Sequence, residues 1–394
     1  MCKAMKVIDE PLLQTANLGG VPVPSADVLK DMHRSQYILH ARGGRLTQVA
    51  VEKTLLPHCP KITPQGVEAD LGCDGTIYVR QVTLLCKSAD GGRTWTGRPI
   101  GSPGGYSVDE TGKWAILRNG LFVCVAMKMG PGQRSPAHVF RSRDEGRSWE
   151  VVTEIPLEMK LPQSGKPYAE RYCSRSLERL KDDTLLWAID VRDHLLEEGY
   201  GLFFFRSTDG GRTWDGPRLM WDWGSEGGTI LLPSGRVLAT LRYQRPTLPG
   251  DPPDLEKKTA SIAPGWPYKH VFIMHSDDGG KTWSTPRQLV SVFGQTFGYP
   301  AVQSDGTVIV THDTRYGPGP SGCRAVISRD EGKTWEDEVY YLDHTVFTGS
   351  YAGSVVLDDD TVVTIAGSSQ TGATWENVID RTDLYATRWK PVKA

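Results

Sequence analysis

Six times along the chain a short apolar run reaches a polar two-residue turn and continues into a run rich in β-formers. The turns are Asp74-Gly75, Asn119-Gly120, Asp182-Asp183, Ser234-Gly235, Asp305-Gly306 and Asp358-Asp359, and the runs after them include residues 76–79, 237–241 and 307–311. Each such pair predicts a β-hairpin. A third strand-like run follows in each unit, as at residues 82–87, 203–206 and 271–275, and in five units it ends in S-x-D-x-G-x-[TS]-W, at 88–95, 142–149, 207–214, 276–283 and 328–335. The starts of this octapeptide lie 54, 65, 69 and 52 residues apart, too uneven for a solenoid and natural for propeller blades with loops of different length.

The predicted fold is therefore all-β: a six-bladed β-propeller with four-stranded antiparallel blades. Residues 1–33 form an N-terminal segment and 34–394 a single domain. The sixth unit ends at 383–389 without the octapeptide, so its sheet needs an outer strand from elsewhere, and residues 35–40 or 46–52 are expected to supply it and close the ring. In the octapeptide, Asp and Ser suit hydrogen bonds to turn backbone, Gly permits a positive φ, and Trp buries a large face between sheets. A residue repeated in every blade marks scaffold rather than one asymmetric site.

Strand alternation puts the two-residue turns and the octapeptides on one rim. The other rim carries the starts of the first strands and the loops 127–137, 191–198, 243–269, 313–322 and 368–382, and function is expected there. The longest loop holds six prolines in 27 residues and is read as a wall over the central mouth.

Composition narrows the partners. Among 394 residues, 45 basic side chains against 47 acidic ones leave a net charge of -2, which disfavours nucleic acid and anionic membrane as ligands. The seven cysteines form no C-x-x-C pair, so buried free thiols are expected rather than a disulfide framework or a zinc site. No segment has the ~18 apolar residues of a spanning helix, and the first residues lack a signal-peptide core, which reads as cytoplasmic unless a leader has been removed. No phosphate-binding loop, H-E-x-x-H or G-x-S-x-G is present, and neither cofactor nor metal is expected. Oligomeric state is not legible from the pattern.

Five octapeptides on a six-unit pattern resemble the sialidase (neuraminidase) superfamily over about residues 60–390, where the repeat is the Asp-box or BNR repeat. The resemblance implies an exo-acting glycosidase that removes a terminal, acidic sugar such as sialic acid. In that family three arginines hold the substrate carboxylate, an Asp is the acid, and Tyr paired with Glu is the nucleophile. Glu226 and Arg242, in SEGGTILLPSGRVLATLR, look like the family's Glu strand and second arginine, and Tyr351, in YAGSVVLDDD, looks like its nucleophile. A phenol activated by a carboxylate suits a sugar whose own carboxylate would repel an anionic nucleophile, and Arg242 would hold that carboxylate in a planar fork.

The third arginine is Arg315 or Arg324. The family's first arginine falls on Gln65 here, and its acid Asp has no counterpart because residues 80–86 run almost directly into the next strand. Candidates for these gaps are Glu68 and Asp70 as the acid, with Asp109, Glu110 and Glu170 at other strand starts and Arg171 and Arg175 as further anion binders. Tyr299, Trp223 and His312 complete the substrate-binding set.

Two other readings remain at this stage. A lyase or hydrolase acting on uronate- or rhamnose-containing polysaccharide would use a His or Tyr group from the cluster His312, Asp313, Arg315 and Tyr316, or His194. A non-catalytic glycan-binding propeller would stack sugars on Trp114, Trp221, Trp223 or Trp266. All three take a glycan as partner.

Overall fold

The computed structural model describes residues 32, 35–57, 68–81, 84–101, 103–106, 111–128, 136–167, 170–192, 199–251, 268–289, 295–314, 322–343, 352–369 and 382–393. Three strands come first: β1 (Tyr37–Arg42), β2 (Arg45–Ala50) and β3 (Glu52–Leu55). Blade one is β4 (Glu68–Leu71), β5 (Ile77–Gln81), β6 (Leu84–Ser88) and β7 (Thr96–Pro99); blade two is β8 (Thr111–Ile116), β9 (Phe122–Ala126), β10 (Ala137–Ser142) and β11 (Glu150–Ile155). Blade three is β12 (Glu170–Arg179), β13 (Leu185–Arg192), β14 (Tyr200–Ser207) and β15 (Asp215–Asp222). In blade four a split inner strand, β16 (Gly224–Ser225) and β17 (Thr229–Leu231), pairs with β18 (Val237–Arg245), followed by β19 (Tyr268–Ser276) and β20 (Arg287–Gln288). Blade five is β21 (Gln295–Val302), β22 (Val308–Thr314), β23 (Gly322–Ser328) and β24 (Glu338–Tyr341); blade six begins with β25 (Gly353–Val356), β26 (Val362–Ser369) and β27 (Thr382–Trp389).

Every pairing is antiparallel, and the six inner strands touch in turn round a ring, from β4 through β8, β12, β17, β21 and β25 back to β4. The six-bladed expectation holds. The N-terminal strands are distributed differently from the expectation. The outer strand against β27 is β3, with Leu55 opposite Tyr385 and Glu52 opposite Arg388. Residues 35–40 and 46–52 lie mainly on β1 and β2, which extend the sheet of blade five through β24. Tyr340 explains the choice: it stacks on His40 at 4.6 Å, and both side chains bond Glu338, the phenol at 2.7 Å and the imidazole at 2.9 Å.

Each octapeptide ties its own turn together. In blade three the Asp209 carboxylate accepts from the Arg212 and Thr213 amides, both at 2.9 Å, and from the Thr213 hydroxyl at 2.6 Å. Ser207 donates to the same carboxylate and receives the Gly211 amide, each at 2.8 Å. Hydrogen bonds from the Thr94 and Thr282 hydroxyls, then from their amides, hold Asp90 and Asp278 far below the usual carboxylate range. The fourth octapeptide position needs a left-handed backbone, and Glu145 (φ 59°) and Glu331 (φ 61°) adopt it where the other boxes have Gly91, Gly210 and Gly279.

The boxes also join the blades. Arg141, just before the box serine of blade two, donates to the Asp209 carbonyl of the next box at 3.2 Å, and Arg206 reaches the Gly279 carbonyl at 3.1 Å. Lys87 meets Glu145 at 2.5 Å, and Arg388 of blade six bonds the Gly91 carbonyl of blade one. Between sheets the faces are aliphatic and aromatic, as where Val123, Val125 and Val139 of blade two meet Leu185, Trp187 and Ile189 of blade three. Cys86, Cys124 and Cys323 are buried free thiols and Cys73 is exposed. Among the described residues no helix is long and apolar enough to cross a membrane.

Candidate functional site

Strand direction brings the starts of the inner strands and the ends of the second strands to the rim opposite the boxes. On four blades the inner strand slips register near that rim: at Thr111–Trp114, Cys173–Ser176, Glu226–Gly228 and Thr296–Tyr299. A bulge of this kind re-aims a side chain out of the sheet's alternation. In blade four Ser225 faces Arg242 while Thr229 faces Ala239, so four residues on one strand match three on the other. The Arg242 amide donates to the Glu226 carbonyl at 2.8 Å and the Thr240 amide to the Gly228 carbonyl at 2.9 Å. Gly227 between them has no room for a side chain, because a Cβ would overlap the Thr240 carbonyl.

This bulge presents Glu226. Its Oε2 lies 2.6 Å from Nη1 of Arg242, whose Nε donates to the Ser225 hydroxyl at 3.0 Å. Both side chains are mostly covered, Arg242 at 10% and Glu226 at 18% exposure. The preceding residue segment is equally constrained. Trp223 alone links β15 to β16, in a left-handed conformation (φ 56°) that costs a bulky side chain energy. Its carbonyl receives the Gln244 amide, and its ring packs on the cluster of Leu202, Tyr243 and Phe272.

Blade one carries a second acid and guanidinium pair at the same level. Glu68 opens β4 opposite Arg80, and Nη2 of Arg80 donates to its Oε1 at 3.1 Å. The guanidinium lies 5.3 Å from the Trp114 ring. Trp114 itself is buried and packs edge-on to Trp149 at 5.0 Å, so it is a core residue rather than a sugar platform. The other Glu68 oxygen, Oε2, is buried without a hydrogen-bond partner among the described residues. Glu68 and Asp70 line a central channel of about 790 Å³ that also takes in Thr229, Tyr299 and Ser354 and reaches the turns at Ser234-Gly235 and Ser304 on the box rim. Glu226 stands three residues before Thr229, roughly 10 Å toward the other rim.

The remaining expectations divide. Tyr351 and Arg315 lie outside the described residues, as do Asp109, Glu110, Tyr316, His194 and Trp266. Glu170, Arg171 and Arg175 fall on β12, Arg175 within its bulge, with side chains outside the described set. Arg324 is buried and sits 4.9 Å from the Tyr341 ring, on the outer side of blade five. His312 is not a loop residue: it lies within β22, 1% exposed, and burial, helped by Arg324, pushes its pKa down to about 3. Its burial in the strand sets His312 apart from the loop position that the sequence suggested.

Sequence reasoning set Asp222 beside Trp221 and Trp223 as part of a sugar subsite and missed its burial. It is buried at 3% exposure at the end of β15, opposite Gly201, and burial raises its pKa to about 6. Its Oδ1 has no partner among the described residues. Also missed was the fully buried pair in which Arg245 grips Asp251 through two hydrogen bonds of 2.7 and 2.9 Å, at the base of the proline-rich loop. Among the described residues no group of three or more His, Cys, Asp or Glu gathers to hold a metal ion.

Comparison with known proteins bears on this geometry. The BNR/Asp-box repeat family matches residues 274–285. A sialidase of Bacteroides fragilis is 28% identical over 196 residues, a stretch that takes in 41% of this chain and 34% of that protein's length. In fold, the GH93 α-L-arabinofuranosidase of Fusarium graminearum, solved with arabinobiose, aligns with a TM-score of 0.57 at 14% identity, covering 87% of this chain and 98% of that one. A Hadza microbial sialidase aligns at 0.52 with 18% identity, covering 86% of this chain and 66% of that one.

Proposed function

The chain is a sialidase-like Asp-box β-propeller, and we propose that it works as an exo-acting glycoside hydrolase, removing a terminal sugar from a glycan at the rim opposite the boxes. The observation that carries this reading is the bulge in blade four, which turns Glu226 out of the ladder and holds it 2.6 Å from Arg242. A carboxylate oriented by a guanidinium and by a backbone that admits only Gly at position 227 is preorganised at little entropic cost.

Chemically, Glu226 takes the proton of the Tyr351 phenol as that oxygen attacks the anomeric carbon. The glycosidic oxygen leaves with a proton from a carboxylic acid at the same mouth, and water then cleaves the glycosyl-tyrosine bond with Glu226 returning the phenolic proton. In the sequence Tyr351 stands two residues before Gly353, which opens the inner strand of blade six and packs on Ala69 of blade one. The aryl glycosides of sialic acid, uronic acids, rhamnose and arabinose provide the assay. Glu226→Gln should lower kcat/KM on whichever is cleaved by about 10²–10⁴-fold while leaving the melting temperature within a few degrees. Unchanged turnover in that variant, or in Tyr351→Phe, would remove both residues from the mechanism.

A further inference from the structure

We propose that Ser225 is a positioning residue for the hydrolytic step: its hydroxyl sets the plane of the Arg242 guanidinium and, through it, the orientation of the Glu226 carboxylate. This role presupposes the hydrolase reading, in which Glu226 takes and returns a proton. Ser225 is 0% exposed, so it acts from behind the site rather than on a substrate. Its hydroxyl turns to Arg242 at both ends, accepting from Nε at 3.0 Å and donating to the Arg242 carbonyl at 3.5 Å. On the same guanidinium, Nη1 lies 2.6 Å from Oε2 of Glu226.

The bulge makes this convergence possible. In an unbroken strand Ser225 and Glu226 would point to opposite faces. Here Ser225 pairs with Arg242 across the ladder while the Arg242 amide bonds the Glu226 carbonyl, so two consecutive residues oppose one arginine. A guanidinium is planar, with its donors in a fixed fork, and contacts from two neighbouring residues define the plane of the whole group. Without the hydroxyl, Nε of this mostly covered side chain loses that acceptor, and rotation of the fork carries Nη1 away from Oε2. The strand itself does not depend on the hydroxyl. The amides of Arg242 and Gln244 bond the Glu226 and Trp223 carbonyls at 2.8 and 2.9 Å. Ser225→Ala therefore removes the orienting contact and leaves the backbone pairing in place.

The test is a double-mutant cycle on the full chain, comparing the parent, Ser225→Ala, Arg242→Lys and the double variant on whichever aryl glycoside is cleaved. Lysine offers no donor at the place of Nε, so the cycle isolates what passes through that contact. Ser225→Ala should lower kcat at least about tenfold, the usual effect of one hydrogen bond to a charged group, with KM changed less than about threefold. In the Arg242→Lys background the same substitution should change kcat less than about twofold. A loss of equal size in both backgrounds marks a merely structural residue and overturns the inference. Undiminished turnover in Ser225→Ala also overturns it and leaves the hydrolase reading standing. A second measurement needs no turnover: the Arg242 Nε–H resonance, identified by its absence from Arg242→Lys, is followed by NMR for exchange with solvent. Exchange should be at least about tenfold faster in Ser225→Ala than in the parent. Unchanged exchange, or no protected resonance in the parent, overturns the inference. If the parent cleaves no glycoside, the hydrolase reading falls, and faster exchange in Ser225→Ala still supports Ser225 as the residue that orients Arg242.

Discussion

Asp222→Asn should make the protein more stable above pH 7 and change it much less at pH 4. Asp222 directly faces Gly201, beside which the ring of Pro162 packs, and its side chain is buried. Burial raises its pKa from 3.8 to about 6. A raised pKa means that the folded state holds the proton more tightly than the unfolded chain does. The stability this provides is fully present below about pH 4 and is lost as pH rises through 6. At about 1.4 kcal/mol per pH unit, ionising Asp222 costs the fold about 3 kcal/mol. With an unfolding entropy of ~2.1 cal/mol/K per residue, a chain of 394 residues shifts by about 1.2 °C per kcal/mol, hence ~3–4 °C in all. The measurement is the difference in melting temperature between Asp222→Asn and the parent, taken by calorimetry from pH 4 to 8. Asparagine leaves a buried amide, whose cost does not vary with pH, so the slope and not the offset is diagnostic. A flat difference, or one that falls with pH, would refute the reasoning.

Asp209→Ala removes the acceptor for two amides and two hydroxyls and should cost about 2 kcal/mol or more, read as a lower urea midpoint. Because the box carboxylates are held below their usual range, their contribution is present above about pH 4 and lost on further acidification; the parent's melting temperature should fall there, and more steeply than that of Asp209→Ala. Gly227→Ala forces the backbone at Thr240 and Leu241 to shift and should cut turnover at least about tenfold, with circular dichroism still showing a β-protein; parental activity would show that the bulge does not set the position of Glu226.

Much of the fold was legible because a propeller repeats its instructions. The six two-residue turns fixed the hairpins and the blade count, and the octapeptides fixed the rim. What the repeat did not carry was the fate of parts that occur once. Residues 35–40 and 46–52 read as outer strands for the last blade, and Tyr340 and Glu338, far away in sequence, draw them to blade five instead. The residue before the box serine in blades one to three, Lys87, Arg141 or Arg206, carried a visible cation whose role as a link to the next blade depends on blade spacing that a sequence does not contain. Glu68 and Arg80 each lie six residues from Asp74, the centre of the hairpin register, so that register pairs them. For Glu226 and Arg242 the same count fails by one, because the bulge inserts a residue. Asp222, between Trp221 and Trp223, reads as part of a sugar subsite, and its burial shows only in the structure.

The register slips on four inner strands divide the propeller into two storeys with different evolutionary freedom. Below them, the ladders run unbroken to the box rim, where hydrogen bonds from one blade to the next make any change costly. Above them, pairing is already interrupted, so the residues there answer to whatever occupies the mouth more than to the sheet. A lineage of such proteins can therefore exchange one sugar for another by altering a few residues above the slips, with the stability of the ring nearly constant. For the engineer, the slips mark the line above which a library should be built.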